Sequence, residues 1–132
     1  MPARFSIPIT AAVEDIDELG HVSNQVYLRW VNDVAMAHSR SVGWDHPQYR
    51  ERGAVFIVRR HELDYLAQVT CGEVLVATTW VDTWRGASCI RKTEIARGEQ
   101  LVARAATTWV FMGFASGRPQ RMPEDLVALF TG

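Results

Sequence analysis

The stretch that decides the fold is residues 14–42, which read E-D-I-D-E-L-G-H-V-S-N-Q-V-Y-L-R-W-V-N-D-V-A-M-A-H-S-R-S-V. Acidic residues come first, a Gly-His pair follows, and apolar side chains then recur at steps of three and four. That spacing places them on one face of an α-helix. The predicted apolar face consists of Val26, Tyr27, Trp30, Val31, Val34, Ala35 and His38.

Both ends of this helix carry sequence signals. Ser23 is a predicted N-cap, and Gly43 is predicted to end the last turn in a left-handed conformation. Arg40 lies near the C-terminus, where the helix dipole favours a cation. We therefore expect about 19 helical residues, roughly 28 Å in length, in a chain otherwise patterned as strands. A sheet is expected to wrap around this helix.

The remaining segments indicate five strands. Apolar and β-branched residues predict strands near residues 5–9, 54–65, 73–83, 87–96 and 101–112. Residues 43–53 are expected to form an ordered loop with a short turn of helix, and Pro123 is expected to open a short terminal helix. This order predicts an α+β fold with an antiparallel five-stranded sheet. Because the third and fifth strands are apolar on both faces, we also expect a second subunit to cover part of the sheet.

Length and composition narrow the class of protein. The 132 residues are predicted to form one domain, residues 1–132, with 48% hydrophobic and 22% charged side chains. Fourteen Lys and Arg against 15 Asp and Glu argue against nucleic acid as a partner. No apolar run is long enough to span a membrane and no secretory signal is recognised. The two cysteines need not pair, so a reduced, cytoplasmic setting is expected. Cys71, Cys89 and the histidines show no metal-ligand spacing, so no metal is expected.

The start of the helix is the predicted site of chemistry. Unpaired backbone N–H groups at a helix N-terminus stabilise anions and polarise carbonyl groups. Asp17 precedes that end across a turn built on Gly20, so a carboxylate and an oxyanion site could lie together. The alternative is that these acidic residues are solvated and only complement the dipole. Spacing alone favours the alternative.

A motif in this region resembles a known family. The pattern D-x-D-x-x-G-H-V-x-N-x-x-Y resembles the signature of hotdog-fold acyl-CoA thioesterases of the 4-hydroxybenzoyl-CoA thioesterase type. Its residues here are Asp15, Asp17, Gly20, His21, Val22, Asn24 and Tyr27. Residues 64–75 and 118–126 resemble later segments of the same family, so the likeness covers nearly the whole chain. It implies a hotdog fold, in which the sheet wraps around one long central helix.

The resemblance also implies a function. It points to hydrolysis of an acyl-CoA to a carboxylic acid and CoA, with Asp17 as nucleophile or general base. A backbone N–H near Asn24 would polarise the thioester carbonyl, and the remaining pocket residues would be Gly20, His21, Val22 and Tyr27. No cofactor is implied beyond coenzyme A as part of the substrate, and a homodimer or homotetramer with shared sites is implied.

Departures from the family pattern keep alternatives open. Ser23 replaces an Asn of a common N-N pair, and Gln68 replaces a frequent Pro. Because another thioesterase branch uses a helix carboxylate, Asp33 is a second candidate. A dehydratase or isomerase is a rival, although its His-centred motif is missing. The alternative from another class is a non-catalytic acyl-CoA-binding or sensing module.

Several basic residues are candidates for the phosphates of coenzyme A, since guanidinium groups bind phosphate bidentately. Arg59 and Arg60 are the first choices, because the second strand changes there from apolar to charged. The other predicted contacts are Arg91 and Arg118, with Arg85, Lys92 and Arg121 as further candidates.

Overall fold

One antiparallel sheet and one long helix make up most of the chain in the computed structural model, which describes residues 2–131. The strands are β1 (Phe5–Thr10), β2 (Ala54–Tyr65), β3 (Val74–Arg85), β4 (Ser88–Arg97) and β5 (Gln100–Gly113). The α-helices are α1 (Asn24–Ser41), α2 (His46–Arg52) and α3 (Glu124–Leu129), and Val13–Asp15 forms a 3-10 turn. No helix in this part of the chain is long and apolar enough to cross a membrane.

The five strands form a single sheet in the order β1-β3-β4-β5-β2, with every neighbouring pair antiparallel. β1 and β2 are therefore its edges. Pro8 lies within β1, and an edge strand accommodates a residue that has no N–H to donate. The predicted α+β class and antiparallel five-stranded sheet are confirmed.

Helix α1 packs its apolar face against the inner face of the sheet. All seven residues of the predicted apolar face are buried. The helix ends just before the left-handed Gly43, whose φ is 89°, as predicted. Ser23 occupies the predicted N-cap position, but its side chain makes no capping hydrogen bond. Its backbone N–H instead donates to the carbonyl of Asp15 at 2.9 Å, which ties the helix start to the preceding turn.

The core consists of two clusters placed along α1. The first surrounds the N-terminal and central part of the helix and includes Val31, Val34, Val69 and Ile95. The second lies beyond its C-terminal half and includes Tyr49, Phe111, Met122, Leu126 and Phe130. The short helices α2 and α3 contribute to the second cluster, so one end of the sheet is closed by local helices.

Helix α2 is longer than the short turn predicted for residues 43–53. The Asp45 carboxylate accepts from His46 N–H at 2.9 Å, while the Gln48 side chain accepts from Asp45 N–H at 2.9 Å. The Asp45 side chain also accepts from the Gln48 backbone, which completes a capping box between these two residues, and Gly53 ends the helix with φ of 81°. The capping residues stabilise seven helical residues in a segment whose composition suggested a loop.

The outer face of β3 is open within one chain. Val74 and Val76 are 62% and 45% exposed, whereas Leu75 and Ala77 on the opposite face are buried. The prediction that β3 is covered on both faces is therefore not met by the chain alone. Cover from a second subunit stays a prediction.

Candidate active site

A tight turn delivers the chain from the 3-10 segment to the start of α1. Ile16 and Val22 pair as an isolated antiparallel bridge. Inside it, Asp17 N–H donates to the His21 carbonyl at 2.9 Å and Gly20 N–H donates to the Asp17 carbonyl at 3.0 Å. Gly20 adopts φ of 84°, a left-handed conformation that favours glycine. The motif glycine therefore shapes the turn that carries Asp17.

The Asp17 carboxylate is exposed, and only one of its two oxygens accepts a hydrogen bond from the described residues. Its Oδ1 atom accepts from Leu19 N–H at 2.9 Å, which fixes the side chain against its own turn. Within residues 2–131, no group donates to Oδ2. One oxygen thus orients the carboxylate and the other is available for chemistry.

The first turn of α1 supplies unpaired donors close to Asp17 in sequence. Val26 N–H donates to the Ser23 carbonyl at 3.0 Å. The N–H groups of Asn24 and Gln25 have no acceptor among the described residues. Together with the positive end of the helix dipole, they can stabilise an oxyanion.

Asp15, two residues before Asp17, has a different environment. It is 3% exposed and accepts from Ala12 N–H at 3.0 Å and from Arg29 Nη2 at 2.8 Å. Burial alone would raise the pKa of Asp15, but the Ala12 N–H and the Arg29 guanidinium outweigh it and hold the pKa below its usual value. Asp15 joins the turn to α1 and has no free oxygen, so it is a structural residue.

Tyr27 and Tyr65 form a wall beside the helix start. Tyr27 is buried, and burial raises its pKa. Its ring packs edge-on against Trp30 and Tyr65, each with centroids 5.3 Å apart. The Tyr65 hydroxyl donates to the Asn24 carbonyl at 3.1 Å. Tyr65 was absent from the sequence-based site, although residues 64–75 carry part of the family resemblance.

Val22 anchors the site to the body of the protein. Its N–H donates to the Val69 carbonyl at 2.8 Å, and its side chain is buried. His21 is half-buried, and within the described residues its ring makes no hydrogen bond. The predicted pocket residues therefore lie together at one end of α1, but a role for the His21 ring stays a prediction. Asp33 is exposed, and it lies about nine residues, or roughly 13 Å, from Asn24 along α1.

The predicted coenzyme A contacts do not converge within one chain. Arg59 lies at a bulge in β2, where the pairing register shifts between Val58 and Arg60. Arg60 is exposed and pairs with Glu62 at 2.6 Å. Arg118 follows β5, whose last residue, Gly113, pairs with Ala54 at the start of β2. Tyr65 is at the other end of β2, roughly 35 Å from Ala54 at about 3.3 Å per strand residue.

Arg91 corrects one of these predictions. It is 6% exposed, and its Nη1 atom donates to His38 Nδ1 at 2.9 Å and to Thr79 Oγ1 at 3.2 Å. β4 alternates so that Arg91 shares the buried face with Cys89, Thr93 and Ile95. The interior position of this guanidinium rules out the predicted surface contact with coenzyme A phosphates. The same alternation is visible in the sequence, where Cys89, Thr93 and Ile95 occupy every second position around Arg91.

Comparison with known proteins identifies the family. The chain belongs to the Thioesterase-like superfamily, whose sequence profile matches residues 12–130. It is similar to the acyl-CoA thioesterase YbgC of Haemophilus influenzae, with 21% identity over 127 residues that cover 96% of this chain and 93% of the relative.

Solved structures show the same fold. A 4-hydroxybenzoyl-CoA thioesterase mutant in complex with 4-hydroxybenzoyl-CoA matches with a TM-score of 0.86 and 21% identity, covering 97% of this chain and 99% of that one. The 1,4-dihydroxy-2-naphthoyl-CoA thioesterase of Synechocystis matches with a TM-score of 0.88 and 18% identity, covering 97% and 96%. The predicted hotdog fold and the predicted class of enzyme, a thioester hydrolase, are confirmed.

Proposed function

We propose that this protein hydrolyses an acyl-CoA to a free carboxylic acid and CoA, with Asp17 as the catalytic carboxylate. The observation that carries the proposal is that two groups close together in sequence both lack hydrogen-bond partners within residues 2–131. The Oδ2 atom of Asp17 has no donor in the described chain, and the N–H groups of Asn24 and Gln25 have no acceptor there. A thioester carbonyl would use both groups, because its carbon needs a nucleophile and its oxygen needs donors.

Two routes use the same groups. In the first, Asp17 attacks the thioester carbon, the C–S bond breaks, CoA leaves as thiolate, and water hydrolyses the resulting mixed anhydride. In the second, Asp17 takes a proton from water, the hydroxide adds to the carbon, and the C–S bond breaks as sulfur receives a proton. In both routes the first-turn N–H groups would bind the oxyanion.

Asp17→Asn tests the proposal, because it keeps the shape and the hydrogen bond from Leu19 while it removes the charge. We expect kcat to fall by about 10²–10⁴-fold or more, measured as thiol release from a panel of acyl-CoAs. The panel begins with 4-hydroxybenzoyl-CoA and 1,4-dihydroxy-2-naphthoyl-CoA, the compounds associated with similar structures. An acyl adduct on acid-quenched enzyme, seen by mass spectrometry, would support the nucleophilic route.

Asp33→Asn is the matched control, since Asp33 is also an exposed carboxylate but lies within α1 rather than in the turn before it. It should retain activity close to that of the unmodified protein. Loss of activity in Asp33→Asn with retention in Asp17→Asn would reassign the catalytic carboxylate. Tight binding of acyl-CoAs without turnover of any of them would favour the alternative, a binding or sensing module.

Arg59, Arg60 and Arg118 are the proposed contacts for coenzyme A phosphates, supported by their exposure. Arg60→Ala should raise KM for acyl-CoA and leave kcat unchanged, as expected for lost uniform binding. The same variant should behave normally with an acyl-pantetheine substrate, which lacks the nucleotide phosphates. Equal losses with both substrates would assign Arg60 to structure.

A homodimer or homotetramer is proposed as the working assembly. Ile57 on the edge strand β2 is 49% exposed, and the outer face of β3 exposes Val74 and Val76. Apolar groups of this kind on an unpaired edge and an open sheet face favour association. Light scattering at micromolar concentration should report at least twice the 14.9 kDa chain mass. A stable, active monomer would contradict this.

A further inference from the structure

A cleft lies beside the C-terminal half of α1, between α2 and the inner face of the sheet. Its volume is about 200 Å³. Met36 on α1 and His46 on α2 line it and are exposed, so the cleft opens to solvent between the two helices. Its main walls are Phe56, Val81, Trp84, Arg91, Trp109 and Phe130.

Arg91 is a buried cation with no counter-ion in the described chain. It is 6% exposed, and within residues 2–131 it forms no ion pair. Its Nη1 atom donates to His38 and Thr79, but no described residue accepts from Nε or Nη2. Buried charges in proteins are normally paired, because an unpaired one is costly to desolvate. Burial accordingly lowers the pKa of Arg91 to about 10.

The groups near Arg91 do not supply the missing negative charge. Burial and the guanidinium lower the pKa of His38 to about 4, so His38 is a neutral acceptor near pH 7. Asp45 lines the cleft, but its carboxylate is used to cap α2. The hydroxyl groups of Ser39 and Tyr49 are hydrogen-bonded to each other at 2.6 Å. The chain therefore surrounds the cleft with spare donors and few spare acceptors.

Two further donors belong to the same cleft. The Nε1 atoms of Trp84 and Trp109 are buried and have no hydrogen-bond partner among the described residues. Native proteins leave few buried donors unsatisfied, and each one calls for a specific explanation. The residues that line this cleft therefore carry three groups with unused donors, and a ligand with acceptor oxygens would match them.

We propose that this cleft binds a small apolar monocarboxylic acid, with the carboxylate accepting from Arg91 and the hydrocarbon part against the aromatic and aliphatic walls. A carboxylate matches the fork of donors on a guanidinium. A cavity of about 150 Å³ in another protein holds benzene. A cleft of about 200 Å³ is therefore large enough for a benzene ring or a short alkyl chain with its carboxylate.

This site is separate, within one chain, from the Asp17 turn. Ser39 lines the cleft, and it lies 15 helical residues, or roughly 22 Å, from Asn24 at the start of α1. The proposal goes beyond the proposed function, because binding of a free acid requires neither hydrolysis nor Asp17.

The experiment measures binding of benzoate and hexanoate to the full chain by calorimetry, with benzamide as a neutral analogue of benzoate. Benzoate should bind at least about tenfold more tightly than benzamide, as expected for a charged hydrogen bond. Arg91→Met should remove that preference. Arg85→Met, at an exposed arginine, is the matched control and should leave it unchanged. Trp84→Phe and Trp109→Phe should each weaken benzoate binding severalfold and keep an aromatic wall.

Several results would overturn the proposal. They are the absence of measurable benzoate and hexanoate binding, equal affinity for benzoate and benzamide, or an unchanged preference in folded Arg91→Met. If Arg91→Met does not fold, unchanged benzoate affinity in both tryptophan variants has the same meaning. Asp17→Asn should bind benzoate as the unmodified protein does, and a change there would place the acid at the Asp17 turn instead. Failure of acyl-CoA hydrolysis would leave these binding results unaffected.

Discussion

A buried charged group lies near each end of α1, Asp15 in the 3-10 turn before it and Arg91 on β4, and their hydrogen-bond partners differ. Near the start, the Asp15 carboxylate receives hydrogen bonds from Ala12 and from Arg29. Beyond the C-terminal half, the Arg91 guanidinium lies 5.5 Å from the centroid of the Phe130 ring, and its hydrogen-bond acceptors among the described residues are the neutral His38 and Thr79. Asp15 is a satisfied structural link, whereas Arg91 retains donors that no described residue uses.

The difference separates structural charge from functional charge. A group whose partners all come from its own chain, such as Asp15, stabilises the fold and has no capacity left for a ligand. Groups with spare capacity, such as Arg91 and the exposed Asp17, indicate where a second molecule completes the arrangement. Position in the sequence does not reveal this difference, since Asp15 and Asp17 are two residues apart.

The largest effect expected is a loss of stability in acid that originates at the Arg91 end. Burial lowers the pKa of His38 to about 4 from 6.5. The unfolded chain therefore takes up a proton as pH falls below about 6.5, while the folded chain does not. The free energy of unfolding should decline by about 3 kcal/mol between pH 6.5 and pH 4.

Urea unfolding across that pH range checks the prediction. His38→Gln removes the titrating ring, keeps an acceptor for Arg91 and serves as the comparison. The variant should lose much less stability over the same interval. Parallel curves for the two proteins would show that other groups cause the acid sensitivity.

The next largest effect on stability is expected at Asp15, near the start of α1. Asp15→Asn should lower the free energy of unfolding by about 2 kcal/mol, because it removes a buried charge-assisted hydrogen bond and places an amide beside Arg29. Asp17→Asn, at an exposed carboxylate, should change stability by much less. Urea unfolding of both variants at pH 7 measures the contrast, and similar losses would remove the distinction between the two carboxylates.

Substitutions of Arg29 and Arg91 should change the free energy of unfolding by smaller amounts and in opposite directions. Arg29→Met should destabilise by about 1 kcal/mol, a modest value because the Arg29 side chain is 54% exposed. Arg91→Met should be neutral or stabilising by about 1 kcal/mol, since it replaces an uncompensated buried charge with apolar volume. Thermal unfolding of the Arg29→Met and Arg91→Met variants measures both changes. Strong destabilisation by Arg91→Met would mean that His38 and Thr79 satisfy the guanidinium after all.

The smallest effect is expected at Tyr65. Tyr65→Phe removes the hydroxyl that donates to the Asn24 carbonyl and keeps the ring against Tyr27. Because Tyr65 is 51% exposed, the loss of stability should be about 0.5 kcal/mol. Denaturant unfolding measures it, and a loss several times larger would assign Tyr65 a greater part in fixing the helix start.

Periodicity predicted the parts of the fold that depend on burial along one element. The spacing of Val26, Trp30 and Val34 fixed the inner face of α1, and alternation in the strands gave their number and close approximations to their ends. The strand order was not deducible from these local patterns, because pairing depends on long-range contacts. Helix α2 was underestimated since its stability comes from the Asp45 cap and Gly53 rather than from a long apolar repeat.

The candidate site was only partly predictable for the same reason. The motif located Asp17, Gly20 and Asn24 at one end of α1 by their closeness in sequence. Tyr65 reaches that end from β2, 41 residues from Asn24, and no local pattern indicates the contact. The Arg91 cleft needs residues from several strands and helices. From the sequence alone, Arg91 could not be distinguished from the other basic side chains that were candidates for phosphate binding.

The N–H groups at the start of α1 that have no acceptor among the described residues also allow ligand binding to be followed without turnover. Backbone amides that lack an acceptor exchange rapidly with deuterium, whereas hydrogen-bonded amides in buried segments exchange slowly. Asn24 and Gln25 should therefore label quickly, and Val22, whose N–H is held by the Val69 carbonyl, should label slowly. A bound acyl carbonyl would slow the labelling of the first pair and leave Val22 unchanged. Slower amide exchange at Asn24 and Gln25, with no change at Val22, would thus show that a carbonyl ligand is bound at the helix start.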